Sequence, residues 1–184
     1  MLSLAPLLAL LAIPLASAFP VDSHHTFRLR PDPLAPAEIA ALGYLPKSIY
    51  YDTSAPHAEQ LHAFYDSTTK TVNATDSSDI LFLRPTHGTP MYFVQLGNPF
   101  ADAVPALTQY NNWRIESKTR EEDGKEVTRD FLTGPTWMAC PAGNEQPLTN
   151  YAIYSGPAAT WRCSELFDME IVWDEKPTET ATTQ

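Results

Sequence analysis

The residues that could do chemistry are few: two cysteines, five histidines, four tryptophans and scattered acids in a chain of 184 residues. Cys140 and Cys163 stand in a stretch, Thr136 to Trp173, that also holds Trp137, Trp161 and Trp173. A nucleophilic cysteine needs a free thiol and an activating base. An even cysteine count in an oxidising compartment implies instead that the two pair. A disulfide closing a loop of this size contributes roughly 3.5 kcal/mol in the chain-entropy model. Among the histidines, His57 and His62 sit five apart, roughly 140° around a helix and on opposite faces of a strand, so they do not form a metal pair. His24 and His25 are adjacent in a segment with no regular pattern, which offers adventitious metal binding at most. Asp168 and Glu170 alternate along one strand face and are near enough for paired-carboxylate glycoside hydrolysis, which needs about 5 to 9.5 Å between the groups. Alternating acids are also the ordinary pattern of a solvated strand edge, and that reading is preferred. There is no G-x-S-x-G elbow and no H-E-x-x-H helix. The expectation is a protein with no catalytic residues, cofactor or metal.

The total charge narrows the partners. The formal net charge is −10, and an acidic surface repels phosphate backbones and anionic lipid heads. Nucleic acid and membrane surfaces are therefore excluded as expected partners. Residues 1–18 read as a secretory signal peptide: Leu7–Leu15 is apolar and Ala16-Ser17-Ala18 matches a small-residue cleavage site. That run is too short, and too interrupted by Pro6 and Pro14, to span roughly 30 Å of hydrocarbon. Cleavage would leave Phe19 at the new amino terminus, which removes the N-terminal histidine brace of oxidative copper enzymes. The chain is expected to be extracellular, with no membrane anchor.

The elements that would hold these residues are mostly strands. Alternation predicts a strand at His25–Arg30, richness in Tyr and Phe predicts short strands at Ile49–Asp52 and Leu61–Asp66, and continuous apolar runs predict strands at Asp79–Arg84 and Met91–Leu96, the last with Tyr92, Val94 and Leu96 on one face. Ala35–Gly43 is the single helix candidate, a short helix near residues 36–42, with Pro36 in the first turn and Gly43 just past the end. Ser67–Ser78 is polar and reads as a loop that carries the sequon Asn73-Ala74-Thr75, making Asn73 the candidate N-glycosylation site. Asn112–Phe131 reads as a hairpin, with Ser117 through Asp123-Gly124 as its connection. Five of the twelve basic residues lie between Arg114 and Arg129, interleaved with acids. Such mixed signs fit cross-strand charge pairs on a solvated strand pair better than a binding patch.

Strands at Trp137–Cys140, Tyr151–Tyr154 and Leu166–Trp173 complete the set. In the last, Phe167, Met169, Ile171 and Trp173 share one face, and Asp168, Glu170 and Asp174 the other. Trp113, Trp137 and Trp173 therefore belong to the core. Trp161, in a loop, is left as the candidate glycan contact. Many short strands between turns rich in Pro and Gly indicate an all-β, antiparallel sandwich or barrel-like domain over 19–173, followed by a disordered tail at 174–184.

The order Trp137-Met138-Ala139-Cys140-Pro141, then Tyr151-Ala152-Ile153-Tyr154, then Cys163 with Leu166-Phe167 after it, resembles small secreted fungal cell-wall proteins of the phialide or conidial wall type and related fungal secreted domains. The resemblance covers only the C-terminal third. It implies a secreted, non-enzymatic, glycosylated β-protein of the wall or of a host-facing secretome, whose partner is a wall polymer or an extracellular protein or glycan. It brings no catalytic residues. An extracellular carbohydrate-binding module is the alternative expectation, with a secreted hydrolase behind it.

Overall fold

The structure, a computed structural model, describes residues 25–52, 58–98, 100, 106–142, 150–157 and 163–175. Residues 1–18, expected to be a signal peptide, together with His24, His57, Trp161 and the residues from 176 onward, lie outside the described residues.

Ten strands and one short helix follow one another along the chain: β1 (Thr26–Pro31), α1 (Ala37–Ala40), β2 (Tyr50–Asp52), β3 (His62–Asp66), β4 (Thr71–Ala74), β5 (Ile80–Pro85), β6 (Tyr92–Gly97), β7 (Arg114–Glu122), β8 (Lys125–Pro141), β9 (Asn150–Ser155) and β10 (Phe167–Trp173). Each pairing is antiparallel. The strands β9-β6-β5-β4-β3-β1-β10-β8 lie side by side, and β8 pairs again with β9. The expected choice between sandwich and barrel thus resolves to a closed antiparallel barrel. β2 prolongs the wall beside the start of β9, and β7 lies outside the ring on the first half of β8.

The barrel closes because β8 changes partners part-way along its 17 residues. Its first half runs between β7 and β10, and its second half takes β9 on the edge that β7 has left. Between the pairs Met169↔Leu132 and Phe167↔Trp137 the register with β10 shifts. β8 accommodates the extra residues around Gly134-Pro135. Gly134 has φ +126, and a Cβ there would lie 2.1 Å from the backbone oxygen of Asn112. The bend therefore needs glycine both for its dihedral and for the approach of a neighbouring chain segment.

Inward side chains fill the ring: Phe27 and Leu29 from β1, Ala63 and Tyr65 from β3, Leu81 and Leu83 from β5, Leu132 and Ala139 from β8, and Met169 and Ile171 from β10. Eight strands enclose a space that side chains can fill. Trp113 and Trp137 stack in this core with ring centroids 5.5 Å apart, an arrangement that adds about 0.5–1.5 kcal/mol beyond burial. Their polar atoms are satisfied: Trp113 Nε1 donates to the Leu81 carbonyl at 3.0 Å, Trp137 Nε1 to that of Leu132 at 3.0 Å, and the Tyr65 hydroxyl to that of Trp113 at 2.8 Å. Trp173 is only half-buried, packed edge-on against Phe27 and bonded through Nε1 to Asp130.

Several local expectations change. The helix spans Ala37–Ala40, with Pro36 at its N-cap position rather than in its first turn. The hairpin connection is Asp123-Gly124 alone, because residues 117–122 continue the ladder to Glu122↔Lys125. Both turn residues have positive φ, +50 and +75, as a two-residue hairpin turn of matching twist requires. Asn73 lies in β4, opposite Phe64 and Ile80, not in a loop. The polar residues of β4 escape an apolar-alternation test because one edge of Asn73 faces solvent while Val72 and Ala74 turn inward.

The cysteines pair as expected. Cys140 near the end of β8 is joined to Cys163 just before β10. Backbone and side chain of Ser164 reinforce the junction: its N–H donates to the Ala139 carbonyl at 2.8 Å, and its hydroxyl accepts from the Ala139 N–H at 3.0 Å.

Candidate functional site

The outer face of β1, β10, β8 and β7 gathers most of the ionic chemistry. Alternation turns Arg28 and Arg30 outward on β1 because Phe27 and Leu29 fill the core. The register then places Arg30 beside Glu170, Glu170 beside Phe131, and Phe131 beside Glu116 in one transverse row. Phe131 faces outward yet is fully covered. Lys118 Nζ lies 5.0 Å from its ring centroid and the Arg120 guanidinium carbon 4.8 Å, so two cationic side chains roof an aromatic ring.

Two linked groups of ion pairs surround that ring. In the first, Glu170 accepts from Arg30 Nε at 2.7 Å and from Arg129 Nη1 at 2.7 Å, and Arg129 also holds Glu122 at 2.6 Å. The hydrogen bonds that Arg129 donates to Glu122 and Glu170 raise its pKa, and burial opposes them. In the second, Arg120 binds Asp32 through Nη1 and Asp168 through Nη2, the latter at 2.8 Å, and Lys118 Nζ reaches Asp168 at 2.6 Å. Burial works against the Arg120 charge, but bonding to Asp32 and the charges of Asp32 and Asp168 more than restore it, so its pKa rises. Asp32 also accepts the Leu34 N–H at 3.0 Å.

This second group forms one end of a cleft of about 530 Å³. Asp32, Arg120 and Asp168 are its polar end. Its remaining wall comes from the bend of β8 at Gly134–Trp137 and from Leu34 and Leu166, which are 60% and 42% exposed. A second hollow of about 330 Å³ is lined by Lys47, Glu59, His62 and Asp76 among others. There the hydrogen bond from Lys47 holds the Asp76 carboxyl below the usual range.

The structure corrects the expected role of the acid pair on β10. Asp168 and Glu170 do share a face, but Glu170 is only 4% exposed, and both acids are bonded to cations carried by other strands. The face is ionic, with Glu170 and Phe131 covered at its centre and Asp168, Lys118 and Arg30 still partly exposed around them. The basic residues of the hairpin were read as pairing across β7 and β8, whereas three of them reach onward to β10 and to the end of β1. Sequence reasoning missed Asp32, Phe131, Arg30 and Arg129 as members of this face. The available signal was Glu170, an acid between Met169 and Ile171 in a mostly apolar strand, which needs partners when buried.

Of the other candidate residues, Asn73 is half-buried, and its Nδ2 donates to Thr71 Oγ1 at 3.0 Å. Trp161 falls outside the described residues. Among the described residues no three His, Cys, Asp or Glu side chains group so as to hold a metal ion, and no helix is long and apolar enough to cross a membrane. Compared with protein-family models, with curated proteins and with solved structures, the chain matches none.

Proposed function

We propose that this protein is a secreted, non-catalytic β-barrel domain that acts through its outer surface, as a component of a cell wall or in a host-facing interaction. The observation that carries the reading is how two of the three acids lining the larger cleft are used: Asp32 and Asp168 are both bonded to Arg120, and Asp168 to Lys118 as well. A general acid or base must exchange its proton at the working pH. Asp32 Oδ2 and Asp168 Oδ2 are already taken up by cations reaching over from β7, so these carboxylates serve to join strands. The filled interior supports the same reading, because barrels that carry small ligands keep space for them inside. The disulfide suits an oxidising compartment. The resemblance of residues 136–173 to small fungal wall proteins supplies the setting, with a wall polymer or an extracellular protein or glycan as partner, and the sequon Asn73-Ala74-Thr75 supplies Asn73 as a glycosylated position.

The test is fractionation of the secreting cells together with a binding screen on insoluble wall polysaccharides and a glycan array. Retention of the protein in the washed insoluble fraction, with no turnover of glycoside or ester substrates, is the expected outcome. An array signal lost in Trp161→Ala would replace this reading with a carbohydrate-binding module. Hydrolysis lost in Asp168→Asn would replace it with an enzyme.

A further inference from the structure

β7 has nine residues and pairs with β8 alone; among the described residues its other edge meets no strand. Its ladder runs from Arg114↔Thr133 to Glu122↔Lys125 without a register shift, and it contains no proline. Edge strands are commonly blunted by bulges, prolines, short length or charged side chains; β7 uses only the last, with six charged residues among its nine, so a strand that pairs with it must match those charges. The residues flanking a two-residue hairpin turn form a hydrogen-bonded pair, and the bonding alternates from there. Glu122, Arg120, Lys118, Glu116 and Arg114 therefore turn their N–H and C=O toward β8. Ile115, Ser117, Thr119 and Glu121 turn theirs outward, as an open set of ladder groups.

The side chains carry a second pattern. Arg114, Glu116, Lys118, Arg120 and Glu122 share one face of the strand. Laid antiparallel on a copy of itself about Lys118, the strand sets Arg114 opposite Glu122 and Glu116 opposite Arg120. On the other face Ser117 meets Thr119. Other registers lose this match: centred on Thr119, Lys118 faces Arg120 and Glu116 faces Glu122; centred on Ser117, Arg114 faces Arg120; centred on Arg120, only the five residues 118–122 overlap, Lys118 facing Glu122 and Arg120 facing itself. Like charges directly opposite are destabilising, so one register stands apart. Its single like pair is Lys118 against Lys118, and each of these already has the Asp168 carboxylate at 2.6 Å. Arg120 uses Nη1 and Nη2 within the chain, and a guanidinium has five N–H donors, so it can also accept a carboxylate from across the edge.

We propose that β7 is a self-association edge. Two copies of the chain join antiparallel about a two-fold axis through Lys118, forming one sheet that runs through both barrels with about eight new ladder hydrogen bonds.

In this register the two Lys118 residues form a non-hydrogen-bonded pair, with Cα atoms about 4.5 Å apart and within disulfide range. The native cysteines are bonded to each other, so an introduced thiol has no internal competitor. Under mild oxidation Lys118→Cys should give a covalent dimer and Glu116→Cys, which faces Arg120, should not. Sedimentation equilibrium provides an independent arm. Lys118→Thr removes the like pair and should tighten the dimer, and Glu116→Lys places two repulsive pairs in it and should weaken it about tenfold. Cross-linking of Glu116→Cys as efficient as that of Lys118→Cys would overturn the register. Wild-type protein and Lys118→Thr that both remain monomeric at millimolar concentration would overturn the interface, and would leave β7 to an extended peptide from a different partner or to solvent.

Discussion

Substituting Gly134 by alanine should be among the most damaging single changes available to this barrel. Gly134 lies at φ +126, a region that side-chain-bearing residues occupy at a cost of about 1–3 kcal/mol. The added methyl would sit 2.1 Å from the Asn112 backbone oxygen and 3.1 Å from its carbonyl carbon. Neither is a flexible side-chain tip, so a backbone segment must move by about 1.3 Å or more to reach an ordinary contact distance. That segment leads directly into Trp113, whose indole and carbonyl are bonded to Leu81 and Tyr65. Forcing extra volume into a packed site costs typically 1–3 kcal/mol. Together the two effects predict a loss of about 3–5 kcal/mol, a large part of the total for a domain of ordinary stability. Gly124→Ala is the internal comparison. It has φ +75 and no atom within 4 Å of the added methyl, so only the left-handed strain of about 1–2 kcal/mol remains. Equilibrium urea denaturation with the disulfide intact measures both. Losses from Gly134→Ala no greater than those from Gly124→Ala would show that the close approach of Asn112 does not constrain β8.

Three further outcomes follow from the same geometry. Replacing both cysteines by serine should lower the unfolding free energy by roughly 3.5 kcal/mol, the chain-entropy value for this loop, read from urea curves; a loss under about 1 kcal/mol would count against it. Glu170→Ala leaves Arg30 and Arg129 without their shared carboxylate. Breaking a buried pair costs about 3–5 kcal/mol, and because both arginine side chains keep some exposure, 32% and 24%, a loss of about 2 kcal/mol is expected, measured by thermal or urea denaturation. Acid should weaken the fold through Asp174: burial pushes its pKa up, but hydrogen bonds from Thr26 and His62 and the charges of His62 and Arg28 outweigh this, so it lies below the ordinary value. A depressed carboxyl contributes stability that is present above about pH 4 and lost as the pH falls through the folded-state pKa. Urea midpoints measured from pH 6 down to pH 2 should therefore fall less steeply in Asp174→Asn than in the unsubstituted protein.

Period-two alternation found β1, β7 and β10, because one side of each must meet an apolar interior while the other does not, and aromatic-rich or continuous apolar runs found β2, β3, β5 and β6. β10 shows it well: Phe167, Met169 and Ile171 point inward as their spacing demands. The same rule failed for Glu170, since alternation states which face a residue occupies and not what covers that face. Arg30 and Arg129 come from positions 140 and 41 residues away, and no local pattern ties them to Glu170. β4 was missed for a related reason. Thr71 and Asn73 are polar, and the pairing of β4 with β3 and β5 holds it in the sheet.

By itself the sequence determined the all-β class, the position of most strands, the placement of Trp113 and Trp137 in the core and the pairing of Cys140 with Cys163. These follow from local periodicity and from composition, which act within a few residues or on the chain as a whole. Only the tertiary structure decided that the sheet closes into a barrel, that β8 passes from β7 to β9 at Gly134, and that Asp32, Arg120 and Asp168 meet at one cleft. Each depends on register between distant strands, and register is set by the packing of the whole ring rather than by any segment of it.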